Sequence, residues 1–206
     1  MGILYLTSEI HFVASQVYAD IKAHKESAPT SYRTAFITTG AEEKQSPLWV
    51  DDNRKGLQEA GFDTFDYTLT GKTPEDIARD LKDVGIIHVN GGSCHWIVKQ
   101  ARSSGFDIWI KQAISRGVIY IGSSGGSIAT APDISSIYRT TQEYPMGLGI
   151  APVHIVPHWN RVDRLAKNLE DRLPKLAAEQ HKLVLLNDNQ FLKIEGGAIQ
   201  FFDVRG

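Results

Sequence analysis

The chain has 206 residues, with 22 basic and 24 acidic side chains and a formal charge of −2. That balance offers no overall basic surface for nucleic acid or anionic lipid, and no apolar run reaches the length that spans a bilayer. A single cysteine, Cys94, excludes an internal disulfide and fits a reducing compartment; "MGILYLTSEI" lacks a basic, cleavable leader, so a cytoplasmic protein is expected. In chain order, "ILYL" (3–6), "TAFITT" (34–39), "TFDYTL" (64–69), "GIIHVN" (85–90) and "GVIYIG" (117–122) read as strands. Several are continuously apolar, as strands covered on both faces must be. Helical patterns lie between them, near 8–24, 48–60, 74–83 and 94–116. Pro74 followed by Glu75 and Asp76 suits a helix start, and Gly61 and Gly117 suit left-handed helix ends.

From residue 147 the pattern changes. "GLGIAPVHIVP" reads as a strand and 160–180 as a charged amphipathic helix. "HKLVLLNDNQFLKIEGGAIQFFDV" reads as three strands with turns, "EGG" (195–197) making a hairpin. The alternation predicts an α/β fold, a mostly parallel doubly wound sheet with helices on both faces and a C-terminal β-hairpin. Neither repeat nor linker interrupts it, so one domain over 1–206 is expected.

Ligands of such sheets gather at the carboxyl ends of strands. Three loops fall there: "NGGSC" (90–94), "GSSGG" (122–126) and "PHWN" (157–160). The second is G-x-S-x-G with Ser124 at its centre. Small residues are what a sharp strand-to-helix turn needs to expose a nucleophilic serine. Taken alone the motif is weak, and a Gly/Ser turn that holds a phosphate has the same composition. Ser123 and Ser127 sit off the centre of the pattern. Gly92 and Gly125 bring backbone N–H groups where an oxyanion would form.

A serine nucleophile needs a base. His11 and His24 fall in the first helix, His95 begins another and His154 lies mid-strand. His181 opens a strand at the opposite end of the sheet, and His88 reads as a core histidine. His158 follows Pro157 where the chain leaves a strand, the place from which a base is presented. For the orienting carboxylate Asp188 ends an apolar strand, while Asp133 and Glu143 are rivals; an α/β-hydrolase would place its acid before the histidine. His88, Cys94 and His95 lack a metal-ligand spacing, so no metal is expected.

Five blocks in order resemble the dipeptidase E (aspartyl dipeptidase) family of serine peptidases, whose fold is related to class I glutamine amidotransferases. "NGGSC" resembles its G-G-N-T loop and "YIGSSGGSIATAP" its serine elbow. "YRTTQE" resembles its R-T-T-N-D segment, "GLGIAPVHIVPHW" the stretch ending in Pro-His, and "LLNDNQFLKIEGG" the late strand and acidic turn. The likeness runs over nearly the whole chain. It implies Ser124 as nucleophile, His158 as base, Asp188 as acid, and Gly92 and Gly125 as oxyanion donors, without cofactor.

It also implies a short peptide as substrate for a monomer or homodimer, with no nucleic-acid or membrane partner. The sequence departs from the family at Gly125, where alanine is usual, and at Ser93, where asparagine is. Glu143 takes the acidic place of R-T-T-N-D, which makes it the second choice for the triad acid and a candidate for holding the substrate's ammonium. Arg161 and Arg164 are candidates to bind an aspartyl side chain. Two readings stand beside this one: a small-anion or nucleotide binding domain using the two glycine loops, and an esterase or amidase with Asp133 or Glu143 as acid.

Overall fold

The computed structural model describes residues 2–24, 29, 31–43, 47–135, 146–167, 169–170, 173–174 and 182–205. Five parallel strands, β1 (Ile3–Thr7), β2 (Arg33–Ile37), β3 (Asp63–Tyr67), β4 (Ile86–Val89) and β5 (Ile119–Ser123), form most of a seven-stranded sheet. A short parallel pair stands apart, β6 (His154–Val156) with β7 (Leu183–Leu185). The hairpin β8 (Gln190–Glu195) and β9 (Ala198–Asp203) completes the large sheet, in the order β3-β2-β4-β5-β1-β8-β9. Only β8 and β9 run antiparallel to their neighbours. Gly196 and Gly197 both take positive φ between the paired Glu195 and Ala198, as a two-residue hairpin turn demands.

The near-continuous apolar strands divide their side chains between two cores. On one face Ile3, Tyr5, Phe36, Ile86, Ile119 and Ile121 pack with α1 (Ile10–Ala23) and α2 (Leu48–Ala60). On the other, Leu4, Leu6, Ala35, Ile37, Ile87, Val89 and Tyr120 pack under α3 (Pro74–Asp80), α4 (Cys94–Ser103) and α5 (Phe106–Ser115). α3 starts as Pro74 requires, with a reciprocal capping box between Thr73 and Asp76. Gly61 ends α2 at φ 105°.

Three elements differ from the sequence pattern. The helix expected over 94–116 is two helices, broken where Gly105 turns left-handed at φ 74°. The strand expected from 147 shrinks to β6. Its first half bonds elsewhere: the amides of Gly147, Leu148 and Ala151 donate to the carbonyls of Pro132, Ala129 and Thr130. Of the helix expected over 160–180, α7 (Val162–Lys167) is seen at its start. Among the described residues no helix is long and apolar enough to cross a membrane, and no three His, Cys, Asp or Glu side chains are grouped to hold a metal ion.

Candidate active site

The carboxyl ends of β1, β4 and β5 lie side by side, and each ends in small or polar residues. β5 runs into a single helical turn, α6 (Gly125–Ile128). A side chain at Gly126 would strike the Val89 carbonyl at 2.0 Å, and one at Gly122 would meet Ser127 at 2.9 Å, so the turn closes only on glycine. Tyr120 Oη donates to the Gly126 carbonyl at 2.8 Å, and Ser127 Oγ donates to the Thr7 carbonyl at 2.7 Å. Ser123 Oγ lies against Thr7 Oγ1 and His88 Nε2. Both flanking serines are thus absorbed into the scaffold.

Ser124 is left at the apex with φ 48° and ψ −110°, a conformation that L-residues rarely hold. Its amide is anchored to the Thr7 carbonyl at 3.0 Å. Its hydroxyl meets His158 Nε2 at 2.9 Å.

His158 is delivered by the small parallel pair. Leu186 N donates to the Val156 carbonyl, and Trp159 N to the Leu186 carbonyl, which fixes the loop after β6 beside the loop after β7. Ser8 Oγ binds both sides of this seam, accepting from His158 N at 3.1 Å and donating to the Leu186 carbonyl at 2.9 Å. His158 also holds positive φ, 60°; it and Ser124 are the two non-glycine residues that do so among the described residues. Its Nδ1 stands 2.7 Å from Asp188 Oδ1. Asp188 N donates to Asn160 Oδ1, and Arg161 Nε donates to Asp188 Oδ2 at 2.7 Å. Burial alone would raise the Asp188 carboxyl; the hydrogen bonds and charges of His158 and Arg161 outweigh it and hold Asp188 below the usual carboxylate range. With Asp188 ionised, Nδ1 carries the ring proton and Nε2 is free to accept the one from Ser124.

These residues border a cleft of about 440 Å³, lined also by Glu9, Trp49, Gly91, Gly92, Ser93, Ile128 and Arg164. Gly92 adopts φ 113°, and a Cβ there would meet the Gly40 carbonyl at 1.9 Å. A Cβ at Gly125 would lie 2.4 Å from the Gly92 carbonyl, so the two glycine loops touch backbone to backbone beside Ser124. Ser93 Oγ accepts from Trp96 N and so caps α4. Arg164 stands 3.5 Å from the exposed Asp163.

Asp133 serves its own turn: its Oδ1 accepts from Ser135 N at 2.6 Å, and its carbonyl meets His154 Nε2 at 2.8 Å. Glu143 and His181 lie outside the described residues. Glu9 belongs to no motif, yet it is 6% exposed and faces the cleft. Its place two residues beyond an apolar parallel strand is the signal that would find it.

Residues 6–202 match the model of Peptidase family S51. The "uncharacterized peptidase Lin0382" of Listeria innocua is 22% identical over 76% of this chain and 81% of its own. Peptidase E of Streptomyces coelicolor is 26% identical, covering 79% of this chain and 72% of its own. The fold is shared with the 1.5 Å crystal structure of a candidate peptidase E from Listeria monocytogenes EGD-e, with a TM-score of 0.84, 20% identity and 98% of both chains covered. With nearly its whole length inside the family model, the chain is a peptidase and belongs to family S51.

Proposed function

We propose that this peptidase cleaves short peptides by a serine acyl-enzyme mechanism. The observation that carries the reading is one imidazole bridging a hydroxyl and a carboxylate: His158 meets Ser124 at 2.9 Å and Asp188 at 2.7 Å. In this mechanism Ser124 Oγ attacks the scissile carbonyl as Nε2 takes its proton. Asp188 holds the proton on Nδ1 and stabilises the imidazolium. The Gly92 and Gly125 amides receive the oxyanion, a role supported by the close approach of their loops. The imidazolium then protonates the leaving amine, and water, deprotonated by His158, releases the acyl group from Ser124.

A preference for an aspartyl first residue belongs to the same proposal. Arg161 and Arg164 both line the cleft. Arg161 already serves Asp188, so Arg164 is the residue assigned to a substrate carboxylate.

A dipeptide library scanned at the first residue tests both parts. Ser124→Ala is expected to lower turnover by several orders of magnitude, about 10⁴-fold or more. Arg164→Ala is expected to raise KM for acidic first residues and leave neutral ones unaffected. Hydrolysis that survives in Ser124→Ala rejects the mechanism.

A further inference from the structure

We infer that Glu9 is the subsite for the α-ammonium group of the substrate, which makes the enzyme an exopeptidase acting at a free amino terminus. The inference rests on Ser124 being the nucleophile.

Glu9 holds the N-cap position of α1, and its side chain makes no capping hydrogen bond. Short oxygen-bearing side chains fill that role elsewhere; here the longer carboxylate passes the helix end and turns to the cleft. It is buried, and Oε2 accepts no hydrogen bond. His11 Nδ1 stands 3.4 Å from Oε2, but that nitrogen lies closer to Asn53 Oδ1, at 3.0 Å. Oε1 faces His158 Nε2 at 3.8 Å and Arg161 Nη2 at 3.7 Å, separations of ion pairing rather than hydrogen bonding. A buried carboxylate with acceptor capacity to spare is costly unless a donor arrives.

Position defines that donor. The carboxylate lies beside His158 Nε2, the atom that also meets Ser124 Oγ. When Ser124 engages a carbonyl carbon, the nitrogen on the α-carbon of the same residue is two bonds from it. An amino-terminal residue offers three charged N–H donors there, which match the unfilled acceptor. An internal residue offers one uncharged N–H, and its preceding acyl group would have to enter the space that Glu9 fills. The site therefore admits the first residue of a peptide and excludes the interior of a chain.

Two activated esters that differ in the ammonium group alone, alanine p-nitrophenyl ester and p-nitrophenyl propionate, isolate this contact. Wild type is expected to favour the alanine ester in kcat/KM by about tenfold or more, the order of a charge-assisted hydrogen bond. Glu9→Gln is expected to bring the two within about threefold of each other, and Glu9→Asp to retain part of the preference. Equal use of both esters by wild type overturns the assignment and needs no variant to observe. So does a preference that survives Glu9→Gln. A fall in kcat on both esters with the ratio intact would make Glu9 a positioning residue for His158, and also overturns it. Ester hydrolysis retained in Ser124→Ala would instead remove the serine mechanism, with the Glu9 ratio still readable on the remaining activity.

Discussion

At the scale of single residues, two histidines of one chain meet opposite fates. His158 is held at the cleft by Ser8, Asp188 and Ser124. His88 is wholly buried, its ring stacked on Phe36 and its Nε2 3.0 Å from Ser123 Oγ. Burial pushes the His88 pKa down to about 3, so the folded protein keeps it neutral. The unfolded chain takes up that proton near 6.5. Between these values the unfolded state binds more protons, so stability falls as the pH drops from about 6.5 toward about 3, by at most about 1.4 kcal/mol per pH unit from this group. Urea unfolding should therefore show wild type losing about 1 kcal/mol more than His88→Gln between about pH 7.5 and 5.5; equal losses would mean that His88 is not a buried neutral group. The core role of His88 was legible from its place inside an apolar strand. Glu9 was not, because a carboxylate beside a helix start looks like an ordinary solvated N-terminal charge until the strand end beneath it is placed.

At the scale of elements, the serine turn is built by contact between loops. Where the family's usual alanine would follow the nucleophile, this chain has Gly125, and the Gly92 carbonyl occupies the space a methyl would need. Gly125→Ala must therefore separate the two loops. It is expected to lower kcat by about 10- to 100-fold through a misplaced oxyanion donor, and to cost about 1–3 kcal/mol of stability. Full activity with an unchanged melting temperature would show that the loops yield freely. The parallel strands were legible because both of their faces are apolar. The break at Gly105 was less so, since apolar spacing continues across it from α4 into α5. The strand from 147 was over-read for a related reason. Its alternation is real, but its amides are spent on the carbonyls after α6, which no local pattern encodes. The triad order Ser–His–Asp was likewise beyond spacing, because β6 and β7 pair across a long separation to bring His158 and Asp188 together.

At the scale of the whole molecule, the cleft draws on residues from both ends of the chain: Ser8 and Glu9, then Gly92, Ser124, His158 and Asp188. The sheet that gathers them also pairs β1 with β8. The chain is therefore expected to unfold in one cooperative transition, with tryptophan fluorescence and far-ultraviolet circular dichroism giving coincident curves; two resolved transitions would divide it into separate units. The backbone at Ser124 and His158 bears on how such a molecule ages in evolution. Each occupies a conformation that glycine would adopt with less strain, at a cost of about 1–3 kcal/mol per residue. A lineage released from the need for turnover would gain durability by replacing either one. In distant relatives, glycine at these two places would then mark an enzyme retired from chemistry whose fold has been kept for another use.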